Sequence, residues 1–231
     1  DGPFRVPRGE GGGAPGVAGM GDCWRGRGAG GFVTPYYQAD GIAIYHGDSR
    51  EIAPTIQGVS AVVTDPPYGV SYRQPRKCVG RQSILGDESW NFARPDLPFV
   101  VWGANNAPDY SDCGWLVWDK KRYGKDLFGD GELAATNAIK GVRVFVSRWD
   151  RQHGDGWTGS HPTEKPVGLM EWCLGFVPDG LVLDPFAGGG STLVAAKAMG
   201  RPAVGIEIEE RYCEVAAERL AQWSLLAPEA R

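Results

Sequence analysis

Ser60-Ala61-Val62-Val63-Thr64-Asp65-Pro66-Pro67-Tyr68 is the stretch on which the reading of this chain turns. The run at 60–64 is apolar and rich in β-branched residues, the composition of a buried strand. Asp65 precedes a proline and is pushed towards extended backbone, and each proline fixes its own φ near about −65°. A stiff corner therefore presents a carboxylate, a proline carbonyl and an aromatic ring at the carboxyl end of a strand, the edge where open α/β sheets bind ligands. Two acceptors beside an aromatic plate suit a flat heterocycle with an exocyclic amino group, which points to a nucleobase.

A second bend lies further along, at Leu181-Val182-Leu183-Asp184-Pro185-Phe186-Ala187-Gly188-Gly189-Gly190-Ser191-Thr192. It reads as a buried strand that ends in an acid, passes through three glycines and opens a helix near Ser191. Glycine lets backbone approach a ligand closely, and N–H groups at a helix start attract negative charge. The following strand ends at Val204-Gly205-Ile206-Glu207, where nucleotide-binding folds place an acid against ribose hydroxyls. Leu193 breaks the dinucleotide glycine pattern, and no lysine follows the glycines as a phosphate loop requires. A ribose-bearing ligand without a pyrophosphate fits, and S-adenosylmethionine is the obvious candidate.

Around these two bends the chain alternates strand-like and helix-like pieces. Strands are expected at 42–46, 61–64, 99–103, 115–118, 142–147, 181–184 and 203–208. Helices are expected at 166–176, 191–199 and 211–223, with a weak one within 50–56 that Pro54 interrupts. The expected architecture is a seven-stranded, doubly wound, Rossmann-like α/β sheet in a single domain over residues 34–231. Residues 1–33 form a Gly-rich segment expected to be disordered or foreign to the folded unit; 1–31 hold twelve glycines and three prolines.

Bulk numbers narrow the function. At 231 residues the chain can bury a substantial core, and its net charge of −4 argues mildly against nucleic acid as a partner. The charge is uneven, however: residues 69–153 sum to +3 and the remainder to −7. The five cysteines form no Cys-x-x-Cys pair and there are three histidines, which supports neither a zinc site nor a disulfide framework. The expectation is no metal, no membrane and a soluble, reducing, cytoplasmic setting.

Taken together, the two bends and several shorter motifs resemble the amino-DNA methyltransferases, specifically the permuted beta group that modifies exocyclic nitrogens. The resemblance covers roughly residues 36–223. It rests on Asp65–Tyr68 preceding the glycine loop, on Tyr45-His46-Gly47-Asp48-Ser49, Trp118-Asp119-Lys120, His161-Pro162-Thr163-Glu164-Lys165-Pro166, the 184–192 loop, and Gly205-Ile206-Glu207-Ile208. It implies S-adenosylmethionine as methyl donor and Asp65, Pro66, Pro67 and Tyr68 as the catalytic corner. Asp184, Phe186, Gly188, Gly190 and Ser191 would line the cofactor, Glu207 would bind its ribose, and Asp48 its adenine amino group. Thr163 and Lys165 would lie near the cofactor carboxylate. Asp48 has a second reading as a helix cap, and the 161–166 stretch one as a helix start with Pro166 in the first position.

The resemblance also implies double-stranded DNA as partner, with the target base flipped out, and is compatible with a homodimer and with a role in restriction-modification. Asp in the first motif position goes with adenine N6 in that family. Cytosine N4, RNA adenine and a non-catalytic cofactor-binding subunit remain as alternatives. Methylation at cytosine C5 is excluded because its Pro-Cys nucleophile pair does not occur. Residues 71–81 carry Tyr72, Arg73, Arg76, Lys77 and Arg81 with no acid, a candidate track for phosphates. Only about a dozen residues separate Arg148 from His161, where the family commonly carries a target-recognition region.

Overall fold

A computed structural model describes residues 26–28, 31–69, 92–121, 129–147 and 164–226. In chain order the strands are β1 (Gly26–Gly28), β2 (Gly31–Val33), β3 (Tyr37–Ala39), β4 (Ile42–His46), β5 (Val59–Thr64), β6 (Phe99–Trp102), β7 (Gly114–Asp119), β8 (Gly131–Thr136), β9 (Val142–Val146), β10 (Leu181–Asp184) and β11 (Ala203–Glu207). The α-helices are α1 (Ser49–Ile52), α2 (Val167–Leu174), α3 (Ser191–Ala198) and α4 (Glu210–Leu226).

Strands β3 to β11 make one mixed sheet in the order β3-β4-β11-β10-β5-β6-β8-β7-β9. The α/β class is as expected, and all seven expected strands are present. The strand count differs: the main sheet has nine. The two additions are β3, three residues long, and β8, whose Gly-Glu-Leu-Ala-Ala-Thr is poor in β-branched residues. β8 is recruited by position, because it pairs antiparallel with β6 on one side and β7 on the other. The segment expected to lack structure also contributes a two-stranded antiparallel ladder, β1 with β2.

The central strands are buried on both faces, as parallel strands covered by helices must be. Their alternation sorts the core into two layers. Ile42, Ile44, Ala61, Val63, Val182 and Ala203 pack with residues of α2, α3 and α4. Ala43, Tyr45, Val62, Leu183, Val204 and Ile206 face the other way, against Ile52 and Ala53 of the α1 region. Truncating a fully buried member such as Ile44 or Leu193 to Ala would cost about 2–5 kcal/mol. Helix α4 buries Tyr212, Cys213, Ala216, Arg219 and Leu220, a single 3.6-period stripe. Pro54 ends α1 as expected, and the chain continues as a 3-10 turn at Ala53–Thr55. Pro166 stands one place before the first turn of α2 and accepts from Leu169 N at 3.1 Å, so α2 starts at Val167.

The order of the central strands fixes where a ligand can sit. From β5 the chain proceeds outward to β6; from β10 it proceeds to β11 in the opposite direction. The reversal falls between β5 and β10, which are parallel neighbours. A crevice opens at the carboxyl ends of the strands at such a point. Asp65 follows the last residue of β5, and Asp184 is the last residue of β10. No described helix is long and apolar enough to cross a membrane.

Candidate active site

The two bends meet at that reversal. Thr64 donates its hydroxyl to Asp184 Oδ1 at 2.7 Å, tying the end of β5 to the end of β10 inside the sheet. Every further contact is built outward from this pair.

On the β5 side, Asp65 is surrounded by charged and polar side chains from distant parts of the chain. Tyr68 donates its phenol hydroxyl to Asp65 Oδ1 at 2.7 Å, and Lys165 donates to Asp65 Oδ2 at 2.6 Å. Lys165 Nζ also donates to the Tyr68 hydroxyl oxygen at 3.0 Å. Glu132, in β8, lies 2.9 Å from Lys165 Nζ and 3.1 Å from the Tyr68 hydroxyl through one oxygen, Oε2. Its other oxygen pairs with Lys120, which lies 5.1 Å from the centroid of the Trp118 ring. Two carboxylates and two ammonium groups thus balance, as a buried network must.

Burial raises the pKa of Asp65; Lys165 pulls it down and Glu132 adds to the rise. Burial also works against the Lys165 ammonium, but Asp65 and Glu132 outweigh it and hold its pKa above the usual lysine range. Burial opposes ionisation of Glu132 too, yet Lys165 and Lys120 bring its pKa down to about 2. Tyr68 is held well above its ordinary value by burial, then by the two carboxylates, so its hydroxyl remains a donor.

The ring of Tyr68 needs space that one residue supplies. Gly103 directly follows β6 with φ +70°, and a Cβ placed there would lie 2.1 Å from Tyr68 Cδ1. The ring lies flush on that glycine.

On the β10 side the partners are neutral and mostly backbone. Asp184 accepts from Thr64, from Phe186 N at 3.1 Å and from Thr192. Burial raises its pKa to about 6, with those hydrogen bonds working the other way. Glu207 braces the glycine bend: Oε2 accepts from Gly188 N and Oε1 from Glu209 N, each at 2.8 Å. Gly188 and Gly190 have φ of +48° and +79°, a region costly for other residues. Gly190 also faces α4, since a Cβ there would meet Ala216 Cβ at 2.7 Å. Phe186 stacks edge-on against Phe92, with centroids 5.5 Å apart. Behind the bend, Arg219 donates to the Gly189 carbonyl and to Ser191 Oγ, and pairs with Glu164 at 2.9 Å.

Similarity to known proteins agrees with this arrangement. The family profile described as DNA methylase, of the N6 and N4 type, matches residues 117–218. The putative methylase YubD of Escherichia coli K12 is 33% identical over 204 residues, spanning 76% of this chain and 88% of its own. The chain belongs to the N6/N4 DNA methylase family. The type II methyltransferase M.ScaI of Streptomyces caespitosus is 25% identical over 254 residues, covering 80% of this methylase and 83% of M.ScaI. M.HinfI of Haemophilus influenzae, another type II methyltransferase, is 43% identical over 147 residues, 60% of this chain and 40% of its own. The solved structure of the PvuII DNA methyltransferase, titled cytosine-N4-specific, superposes with a TM-score of 0.55 at 17% identity, over 80% of this chain and 88% of that one, which shows a shared fold.

Within the methylase, the site residues expected from sequence fall into four groups. Asp65, Pro66, Pro67 and Tyr68 form one corner, and Asp184, Phe186, Gly188, Gly190, Ser191 and Glu207 form the facing bend. Lys165 and Asp48 are engaged by other side chains of the protein, Asp48 in the helix cap that was its second reading. Lys165 reaches the Asp65 carboxylate, because the stretch before α2 runs between the corner and β8. Asp48 caps α1, accepting from Arg50 N at 2.8 Å, and chelates the Arg50 guanidinium. Thr163, Tyr72, Arg73, Arg76 and Lys77 lie outside the described residues. Sequence reading missed Glu132, Gly103 and Arg219. No local signal marks Glu132 or Arg219; Gly103 stands where an expected strand ends, and that was the available clue.

Proposed function

We propose that this methylase transfers a methyl group from S-adenosylmethionine to N6 of an adenine turned out of the DNA stack. The observation that carries the reading is the Thr64–Asp184 hydrogen bond of 2.7 Å, which holds the acceptor corner and the glycine bend on adjacent strand ends.

The bend suits a cation carried on a ribose. Residues 184–192 contain no Lys or Arg, so nothing in the bend attracts a pyrophosphate, whereas Asp184 and Glu207 offer carboxylates. Asp184, Phe186, Gly188, Gly190 and Ser191 would hold the methionine end and Glu207 the ribose. When bound there, S-adenosylmethionine supplies a methyl carbon that leaves sulfur with its bonding electrons left behind.

The chain's own residues supply the rest. An aromatic amine is a weak nucleophile because its lone pair is delocalised into the ring. Asp65 and the Pro66 carbonyl each accept one N–H, which favours a pyramidal nitrogen with its lone pair aimed at the methyl. One N–C bond forms and the amine gives up one proton. Orientation of this kind contributes about 7–11 kcal/mol in favourable systems, and acceptors in a water-poor corner stabilise the developing positive charge. Tyr68 stacks on the base, a contact worth about 1–3 kcal/mol. Turning the base out costs a few kcal/mol, repaid by these contacts. Asp65 in the first motif position supports adenine over cytosine through its resemblance to the adenine-modifying members.

The test is a nucleoside digest of unmethylated DNA incubated with the purified chain and S-adenosylmethionine, resolved by mass spectrometry. N6-methyladenine is the expected product. N4-methylcytosine would move the assignment to the other amine, and no methylated base in DNA would overturn it.

A further inference from the structure

We propose that Glu132 is a positioning residue for methyl transfer, holding Lys165 and the Tyr68 hydroxyl so that Asp65 can release an oxygen to the target amine. The inference rests on the methyl-transfer reading above and adds to it.

Both oxygens of Asp65 already accept a hydrogen bond, Oδ1 from Tyr68 and Oδ2 from Lys165. An incoming N–H must share or displace one of them. Each of those two donors has a second acceptor within reach, and it is the same atom: Glu132 Oε2, 3.1 Å from the Tyr68 hydroxyl and 2.9 Å from Lys165 Nζ. The phenol has one proton for two acceptors, so it satisfies Asp65 and Glu132 alternately by rotation alone. Lys165 has three N–H groups and stays ion-paired to Glu132 when Asp65 turns to the substrate. Neither ring nor backbone has to move.

Glu132 is fit to wait in this way because it is anchored from behind. The antiparallel ladder pairs it with Trp118, and its Oε1 is held by Lys120. Two lysines keep it anionic, whereas burial loosens the hold of Asp65 on its charge. Of the two carboxylates that share Lys165, Asp65 is the one that gives way. Without Glu132, Lys165 would be left with Asp65 as its one counter-charge and would compete with the substrate for it.

The charged surroundings of Asp65 set the sign of the test. Lys165 and Tyr68 touch it, Glu132 lies behind both, Lys120 stands beyond Glu132, and Asp184, whose pKa the Asp65 charge raises, lies across the β5–β10 pair. Glu132 raises the Asp65 pKa, so removing its charge lowers that pKa. Asp65 must be ionised to accept the amine, and the acid limb of kcat therefore moves to lower pH in Glu132→Gln.

The experiment measures transfer of a tritiated methyl group from S-adenosylmethionine to unmethylated DNA across about pH 3.5–8 by the full chain, Glu132→Gln and Glu132→Asp (the range brackets the usual carboxylate and histidine region, about 4–7). Glu132→Gln is expected to lower kcat about 10–100-fold, the scale of a displaced reacting group. Its KM for S-adenosylmethionine should stay within about twofold, and its acid limb should shift down. Glu132→Asp restores the charge and should return the limb to the parent position with part of the rate. Parent-like kcat in Glu132→Gln, or a lowered kcat with an unmoved limb, would overturn the proposal. Should circular dichroism show Glu132→Gln unfolded, Glu132→Asp decides, and unchanged kcat there refutes the role. No transfer by the parent chain would instead sink the methyl-transfer reading, and this proposal with it.

Discussion

Asp65 and Asp184 end neighbouring parallel strands, yet they are held by opposite means. Asp65 is contacted by an ammonium and a phenol, with a second carboxylate behind them, and Lys165 and Glu132 come from stretches far from it in sequence. Asp184 is held by hydroxyls and a backbone N–H, and Glu207 beside it by two more backbone N–H groups. Side-chain ions can exchange partners without disturbing the fold; backbone donors cannot. On the proposed reading, the acid that acts on the amine has movable neighbours, and the acids that would hold the cofactor have fixed ones.

The sharpest way to break this contrast is Asp65→Ala. If the corner acts on the acceptor and the bend on the donor, methyl transfer falls about 10²–10³-fold or more, the scale of losing one key electrostatic contact. Binding of S-adenosylmethionine, measured by calorimetry, stays within about threefold. Collapse of both would show that the two bends form one inseparable unit.

Two glycines sharpen the contrast. A methyl at Gly103 meets the Tyr68 ring, and a methyl at Gly190 meets Ala216; both positions have positive φ. Either alanine should cost about 1–3 kcal/mol of stability through backbone strain and crowding. The functional losses should separate. Gly103→Ala displaces the stacking ring and lowers kcat by about tenfold or more, consistent with a stacking contact of about 1–3 kcal/mol. Gly190→Ala shifts the bend and weakens S-adenosylmethionine affinity, with little effect on turnover at saturating cofactor. Thermal melts with steady-state kinetics check both.

The same contrast governs how much was legible in the sequence. Local features came through: the apolar runs of β5 and β10, the proline corner and the glycine bend are each written in one short stretch. Gly190 could be singled out because its neighbours are glycines before a helix. Glu132 could not, since Glu in a Gly-Glu-Leu-Ala-Ala-Thr stretch reads as solvated, and only the insertion of β8 between β6 and β7 carries it to Tyr68, 64 positions away in sequence. Lys165 was recognised as a site residue through its motif, but its contact with Asp65 was not, because spacing says nothing about which side chains an extended segment will face. The ionic half of the site is made by long-range pairing, and the backbone half by local chemistry.

Asp184→Asn asks what the fixed acid costs the fold. Burial raises its folded pKa to about 6, above the ordinary aspartate value of 3.8, so ionisation is penalised in the folded state. The penalty is fully present above about pH 6 and disappears as pH falls towards about 4, equivalent to about 1–3 kcal/mol for a shift of this size. Asn keeps an oxygen for Thr64 and Phe186 N. The variant should melt higher than the parent at pH 7.5, converge with it near pH 4, and lose cofactor affinity. A lower melting point at pH 7.5 would mean that the hydrogen bonds to the carboxylate outweigh its burial.

The smallest effect concerns Asp48, where two roles compete for one side chain. Gly47 N donates to the Glu207 carbonyl at 2.9 Å, so the Asp48 turn sits against the end of β11, next to the residue proposed for the ribose. Its carboxylate is nevertheless spent on Arg50 N and the Arg50 guanidinium. Arg50 is 66% exposed, so that ion pair contributes little; the cap is the part that counts, about 0.5–2 kcal/mol on replacement by Ala. Asp48→Asn keeps an acceptor for Arg50 N and should retain nearly all the stability that Asp48→Ala loses. A cap-only residue predicts that S-adenosylmethionine affinity follows the same order, parent and Asn alike, Ala weaker. If Asn binds as poorly as Ala while melting like the parent, the carboxylate reads the cofactor amino group directly and Arg50 must turn aside to let it.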